Sequence, residues 1–495
     1  MKIAPSSSAA RRQTRQKKLL QKQSQPAQTE LALAPGKALE ELQPVHRRAA
    51  GIDIGSTNNY VAIPTEGLKP GEEAVRVFGV FTVDHDALVE WLREHQITTV
   101  AMEATGIYWL ALYDKLEAVG IEVFLVDAHA VKAVPGRKSD WLDCQWLQKL
   151  HTYGLLAKAF RPDAPIRRLR TLTRHRVELI EAGVVHQEHM QKALISMNLQ
   201  LTLAVSDIIG ETGLRIIRAM LEGERDPAHL VKMRDGRCHK TTIAEMKAAL
   251  TGTYSEEHLF VLRQSLEGWE FYQKKIAQCD EQIEKVLAAI PKAAAAARPA
   301  PPKTLPMKEP VLKAKKRFDK GHNAPTRDFS EVLRTICGTD LMKICGLNVL
   351  SVLMLIGEIG TDMSRWRSAQ AFCSWLGLCP GTKISGGKVL SRRTRKVKNR
   401  ASTILRLAAW AAGKTDTWIG RFYRRIKAKH GKPKAVTATA RKLACVIYHL
   451  LKYREEFQWV EPKAYATDTR EHHLNKLKKE AKKLGYDLVE LQDVA

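Results

Sequence analysis

The chain has 495 residues, 44% of them hydrophobic, with 80 Lys and Arg against 53 Asp and Glu, for a net charge of +27. At roughly 150 residues per domain, that length suggests about three structural units with ample core material, and so excludes a small disulfide-held scaffold. So basic a protein meets a polyanion, with nucleic acid ahead of an anionic membrane.

The N-terminal stretch "MKIAPSSSAARRQTRQKKLLQKQ" is basic but has no apolar core, so it is not a secretory signal. Residues 1–47, rich in Gln, Ser, Ala, Pro and Lys/Arg, are expected to form a disordered basic tail. From 48 to 160, strand-like runs ("GIDI", "NYVAI", "AVRVFGVF", "TTVAME", "IEVFLVD") come with helix-like runs ("DALVEWLREH", "IYWLALYDKLEAVG", "SDWLDCQWLQKL"). A hairpin, a third strand and two strand–helix units predict an α/β domain with a mixed sheet.

Between 161 and 290 the period changes. Positions 259, 262, 266, 269, 273, 276, 280, 283, 287 and 290 step by three and four, and only Gln273 and Asp280 break the apolar stripe. A second stripe runs through Leu169, Leu172, Ile180, Val184, Met190, Leu194 and Met197. Two heptad-like helices around an insert predict an antiparallel coiled-coil arm; alternatively each stripe faces a bundle core. Residues 291–327 form a Pro/Ala/Lys linker. Residues 328–455 are expected to be compact and mostly helical, with a charged tail at 456–495. In "LMKICGLNVLSVLMLIGEIG", two helical runs joined at "CGLN" resemble a helix–hairpin–helix, where Gly346 would let backbone N–H groups approach a phosphate; a plain αα-hairpin is the alternative. No apolar run reaches the roughly 18 residues of a membrane span, and "RFYRRIKAKH" lacks a broad apolar face, so no membrane partner is expected. Eight scattered cysteines without a C-x-x-C pair fit free thiols in a reducing cytosol, not a disulfide framework or zinc site.

Chemistry concentrates in two places. Asp53 interrupts the apolar strand "GIDIGS", where a buried carboxylate is costly unless paired or metal-bound, and Gly51 and Gly55 leave room beside it. Glu103 ends "TTVAME", and Asp140 and Asp143 are three apart on one helix face. Together the four are expected to converge as an oxygen cage of the kind Mg2+ (or Mn2+) prefers. Two such ions about 4 Å apart stabilise the attacking and leaving oxygens of phosphodiester displacement. Singly, Asp143 reads as a surface acid and Asp140 as a helix cap, and Asp127 is a competing strand-end acid.

The second place is "PGTKISGGKVLSRRTRKVKNR". Between 381 and 450 there are 19 Lys/Arg against one acid, Asp416, whereas a solvated face mixes both signs. Gly386, Gly387, Lys388, Arg392, Arg393, Arg395, Lys396, Lys398 and Arg400 are therefore expected to contact nucleic acid, along with Gly346. Ser385, just before them, is either a turn residue beside that face or a nucleophile delivered to a phosphate.

The segments "GIDIGSTNNYVAI", "AMEATGIYW", "VPGRKSDWLDCQWLQKLHTYGLL", "ICGLNVLSVLMLIGEIG" and "AFCSWLGLCPGTKISGGK" stand in the order found in DEDD-type insertion-sequence transposases, the bridge-RNA-guided recombinases, which the chain resembles over 48–450. The resemblance implies a RuvC-like, RNase H-type domain whose four acids fall on Asp53, Glu103, Asp140 and Asp143. It also implies a coiled-coil arm and a C-terminal transposase domain whose serine nucleophile falls on Ser385. The implied partners are donor and target DNA duplexes, a non-coding bridge RNA and further copies of the chain, as a dimer or tetramer, in a prokaryotic cytoplasm at the nucleoid. Two other readings use the same residues. A RuvC-like metal-dependent junction nuclease would use water and leave Ser385 structural, and a non-enzymatic nucleic-acid scaffold would leave Asp53 unexplained.

Overall fold

The computed structural model describes residues 43–126 (without 67 and 105), 139–236, 241–291, 323–457 (without 396 and 398) and scattered residues between 474 and 487. The expected basic tail up to 42, the linker over 292–322, most of the C-terminal tail, Asp127, Lys396 and Lys398 lie outside them. The chain divides into two compact units between Phe160 and Arg161.

The first unit is a five-stranded mixed sheet. Its strands are β1 (Ala49–Ile54), β2 (Asn59–Ala62), β3 (Val75–Phe78), β4 (Thr99–Glu103) and β5 (Glu122–Val126), in the order β3-β2-β1-β4-β5. β1 pairs antiparallel with β2 and parallel with β4, and β4 pairs parallel with β5. Because side chains alternate along a strand, β1 presents Ala50 and Ile52 to one face and Gly51 and Asp53 to the other. On the first face Ile52 packs with Leu88 and Leu92 of α1 (Thr82–Glu94) and with Leu112 and Leu116 of α2 (Trp109–Ala118). The second face carries α3 (Asp140–Thr152), whose Leu147 meets Ala101 and Val126, and whose Cys144 meets Ala62 and Val75. This is the mixed-sheet α/β architecture expected from the sequence, and it gathers the carboxyl ends of β1 and β4 beside the first turn of α3.

In the second unit α4 (Ala164–Ser196) and α9 (Glu256–Ala289) run antiparallel: the Cys279 thiol donates to the Leu172 carbonyl, while further along Gly268 lies against the His186 ring. Between them α5 (Leu201–Ala204), α6 (Glu211–Leu221), α7 (Pro227–Lys232) and α8 (Ile243–Ala249) build a core with Met190, Leu194, Leu262 and Leu266. Val184, placed on the buried stripe by the sequence, is 40% exposed, and Gly183 takes the inner position. A straight helix drifts about 20° per heptad from a 3.5-residue repeat, so a stripe read at that repeat leaves the interface over several turns.

Beyond the helix pair, α10 (Ser330–Cys337) ends on Gly338 in the left-handed conformation (φ 67°). The first of the two helical runs expected at "LMKICGLN" is only a 3-10 turn, Leu341–Lys343, because the Asp340 cap and Gly346 (φ 93°) leave room for no more. α11 (Val349–Ile359) then starts on an Asn348–Ser351 capping box. α12 (Ala369–Trp375), the hairpin of β6 (Lys383–Ser385) and β7 (Lys388–Ser391), α13 (Arg400–Ala412), α14 (Trp418–His430) and α15 (Lys432–Tyr453) complete the unit. α15 buries Leu443, Ile447, Tyr448 and Leu451, and the Tyr448 hydroxyl donates to the Trp366 carbonyl at 2.9 Å. Arg174 binds Glu358 bidentately at 2.7 and 2.8 Å, while Arg170 donates to the Gly357 and Glu358 carbonyls at 3.1 and 2.7 Å. Two guanidinium groups thus tie the root of α4 to the last turn of α11, where cations are favoured.

Candidate active site and nucleic-acid face

Ligand oxygens of Asp53, Asp140 and Asp143 lie within 4.8 Å of one another. Three local features bring them together. Asp53 sits next to last on β1, on the face covered by α3. Ser139 caps α3 by accepting from the Leu142 N–H at 3.3 Å, which leaves Asp140 and Asp143 in the first turn, where the helix dipole favours acids. The cap is therefore Ser139 and not Asp140. Finally, a Cβ on Gly51 would fall on the backbone of Cys144 and Gln148, so only glycine lets α3 lie this close to β1. From the buried Gln148, Nε2 donates to the Ala49 carbonyl at 3.3 Å and fixes the same contact.

Glu103 ends β4 one register step beyond the Ile52–Met102 pair, beside Asp53. It lines the same pocket of about 200 Å³ as the three aspartates, without joining their tight cluster. Asn58 and Tyr60 also line the pocket and were not expected from the sequence. Their signal was available: Tyr60 is the antiparallel partner of Asp53, and the Asn58 carbonyl closes the turn by accepting from Gly55 N–H at 2.9 Å. The burial of Cys144, with the carboxylate of Asp53 next in effect, pushes its thiol up to about 12, so it stays a neutral core group beneath the acids. Hard oxygen donors at this spacing, in a pocket with room for water, fit a divalent cation that keeps part of its hydration shell.

In the second unit, Ser385 closes β6 and is exposed. It pairs with Lys388 across a two-residue turn, where Gly386 and Gly387 have φ of 53° and 73°. Two consecutive positive φ values are what a type I′ hairpin turn demands, so both glycines have a conformational reason to be there. Ser385 thus stands on an ordered hairpin, immediately before its turn. Lys388, Arg392, Arg393 and Arg395 are exposed around it, and Arg395 also donates to the Ser374 carbonyl at 2.9 Å. Arg400 opens α13. Gly346 packs directly on the Ala408 carbonyl of α13, a close approach that excludes any side chain there.

A DEDD-type IS110 family model described as "Transposase" matches residues 50–198, and the "Transposase IS116/IS110/IS902 family" model matches residues 338–424. No curated protein matches the chain. The first match contains all four acids and the second contains Ser385 with its hairpin. Among the described residues, no helix is long and apolar enough to cross a membrane. With both matches in the expected order along one chain, this protein belongs to the IS110 family of transposases, enzymes that cleave and rejoin DNA to move an insertion sequence.

Proposed function

We propose that this transposase moves its element by RNA-guided strand exchange, with Ser385 as nucleophile and with Asp53, Glu103, Asp140 and Asp143 holding Mg2+ or Mn2+. The convergence of Asp53, Asp140 and Asp143 to within 4.8 Å supports this reading above all, since carboxylate oxygens at this spacing match the hard oxygen ligands that a divalent cation takes. When bound, the metal neutralises charge on the phosphate and favours departure of the leaving oxygen. The serine hydroxyl, weak on its own, needs a base to take its proton before it can attack. Its Oγ forms a bond to phosphorus as the P–O bond to one deoxyribose breaks, releasing that sugar as a hydroxyl. Attack by the hydroxyl of a second strand reverses the step and frees the serine, so bond types are conserved. Exposed cations such as Lys388, Arg392 and Arg393 offset charge on the transferring phosphate. The partners are donor and target duplexes, a bridge RNA and at least one further copy of the chain, and the long α4–α9 pair serves as the arm in assembly.

A water-using junction nuclease is the competing reading, because the acid cluster would equally serve an attacking water. The two separate on a covalent adduct. Ser385→Ala should abolish both recombination and the protein–DNA species trapped on denaturing gels, while DNA binding persists. Asp53→Asn should abolish cleavage and weaken Mn2+ binding in the absence of DNA. An adduct formed by Ser385→Ala would remove this serine from the reaction, and cleavage without any adduct would establish the nuclease.

A further inference from the structure

Seen from its buried side, α13 is an ordinary core helix: Ala401, Ile404, Leu405, Ala408, Ala409 and Ala412 face inward. Its outer face is unusual. Arg400, Thr403, Leu407, Trp410 and Lys414 follow one another in steps of three and four, with Leu407 63% exposed and Trp410 43% exposed in the middle. Two ammonium groups sit over the indole, Lys414 Nζ at 3.9 Å and Lys432 Nζ at 5.8 Å from the ring centroid. Asp416, the single acid between 381 and 450, is taken by Arg421 and Arg424, each at 3.3 Å. Among the described residues, no acid pairs with Arg400, Lys414, Lys432 or Lys434. An apolar, aromatic centre with unneutralised cations at its ends asks for a partner that brings a flat apolar surface and negative charge together.

We propose that the outer face of α13 is a stacking site for an unpaired base of a nucleic-acid strand, with Trp410 as the platform and Lys414 and Lys432 on the flanking phosphates. This rests on the reading that the chain acts on nucleic acid, and adds where an opened strand is held. An unpaired nucleotide supplies both features at once, whereas an apolar protein patch would leave the cations uncompensated and partly desolvated. A base settling on the indole displaces the Lys414 ammonium, which needs only a side-chain rotation to reach the adjacent phosphate. Intact duplex keeps its base faces stacked inside, so Trp410 distinguishes opened from closed strands. Strand exchange requires such opened strands.

The test compares fluorescein-labelled 12-mers of dT and U with a duplex of matched length, using the full chain at fixed salt. Trp410→Ala should weaken single-strand binding roughly five- to a hundredfold, the range for losing one base–aromatic stack, and leave duplex affinity unchanged. Trp410→Phe should retain binding within a few-fold and shows that the fold is intact. Lys414→Gln with Lys432→Gln should lower the salt dependence of single-strand binding without removing the preference over duplex. Loss with dT alone, U alone or both identifies the strand held as DNA, RNA or either. Single-strand affinity indifferent to Trp410, or an equal loss for duplex, overturns the stacking site while the transposase reading stands. Wild-type protein that binds neither strand nor duplex overturns both. A change in oligomeric state in Trp410→Ala with strand binding intact makes the face a contact between copies and overturns the proposal.

Discussion

A methyl group at position 51 would fall on the backbone of Cys144 and Gln148, atoms that cannot rotate away. Gly51→Ala must therefore lift α3 off β1 and carry Asp140 and Asp143 away from Asp53. Overpacking of this kind costs about 1–3 kcal/mol, visible as a lower urea midpoint, and here DNA cleavage should fall much further than stability does. Proportionate losses would mean that the helix relaxes without moving the acids. The sequence placed a small residue beside Asp53, but it could not show that the neighbour is helix backbone, 93 and 97 residues along. A second residue gives a pH signature. His151 is fully buried, stacks on His46 at 4.8 Å and shares a 2.9 Å hydrogen bond with Thr99. Burial, then repulsion from His46 and Lys158, outweighs the nearby Glu122 and lowers its pKa to about 4. Below the unfolded value near 6.5 the unfolded chain binds a proton that the folded chain refuses, so stability falls between about 6.5 and 4 and levels off beneath. The loss attributable to this ring reaches up to about 3 kcal/mol. Urea unfolding at pH 7 and pH 4.5 should show a smaller pH-dependent loss in His151→Gln than in the wild type.

The helix pair shows what a repeat can and cannot tell. The extent of its helices and most inward positions of α9 follow from the three–four spacing, whereas the orientation of the pair does not. Asp280 appeared as a flaw in the stripe, yet it is 0% exposed and paired with Arg176 at 2.6 Å. It also accepts from the Thr326 N–H at 2.9 Å and hydroxyl at 3.1 Å, and Arg176 donates to the Asn323 carbonyl at 3.2 Å. Arg327 adds exposed contacts to Glu281 and Glu284 at 3.4 and 2.7 Å. The chain emerging from the linker is thus pinned to the root of the pair by one buried ion pair, a long-range match that periodicity cannot reveal. Asp280→Ala leaves a guanidinium buried without its counter-charge and should cost about 3–5 kcal/mol by urea unfolding. Arg176→Met combined with Asp280→Leu should recover part of that loss, but not all, because the Thr326 donors stay unpaired. A double variant no better than Asp280→Ala would place the stability in the threonine contacts instead. By contrast, the "SGGK" hairpin was legible in principle: two glycines between Lys-Ile-Ser and Lys-Val-Leu are a short-range signal for a two-residue turn. No strand was expected there, because β6 and β7 bury almost nothing and so lack the apolar alternation that marks a strand.

For the molecule as a whole, charge is distributed against function in a way composition already hinted at. The acids proposed to hold the metal sit at the carboxyl ends of β1 and β4 and the start of α3, while 19 of the 80 Lys and Arg fall within 381–450. On the proposed reading this face meets the phosphate backbone, so affinity should fall linearly on a log–log plot against salt, by about 0.9 per phosphate neutralised on duplex DNA. Arg392 and Arg393 are exposed and hold no acid among the described residues, whereas Arg395 spends one N–H on the Ser374 carbonyl. Replacing Arg392, Arg393, Arg395 and Lys396 together by Gln should therefore reduce the slope by about 3.6 if each meets a phosphate, and the loss should be the same for any duplex sequence. Replacing Arg421 and Arg424, which are occupied by Asp416, should change it far less. An unchanged slope in the fourfold variant would move the duplex-binding surface away from the Ser385 hairpin. It would then fall to α14 and α15, where Lys427, Lys429, Lys432 and Lys434 are among the exposed positive charges.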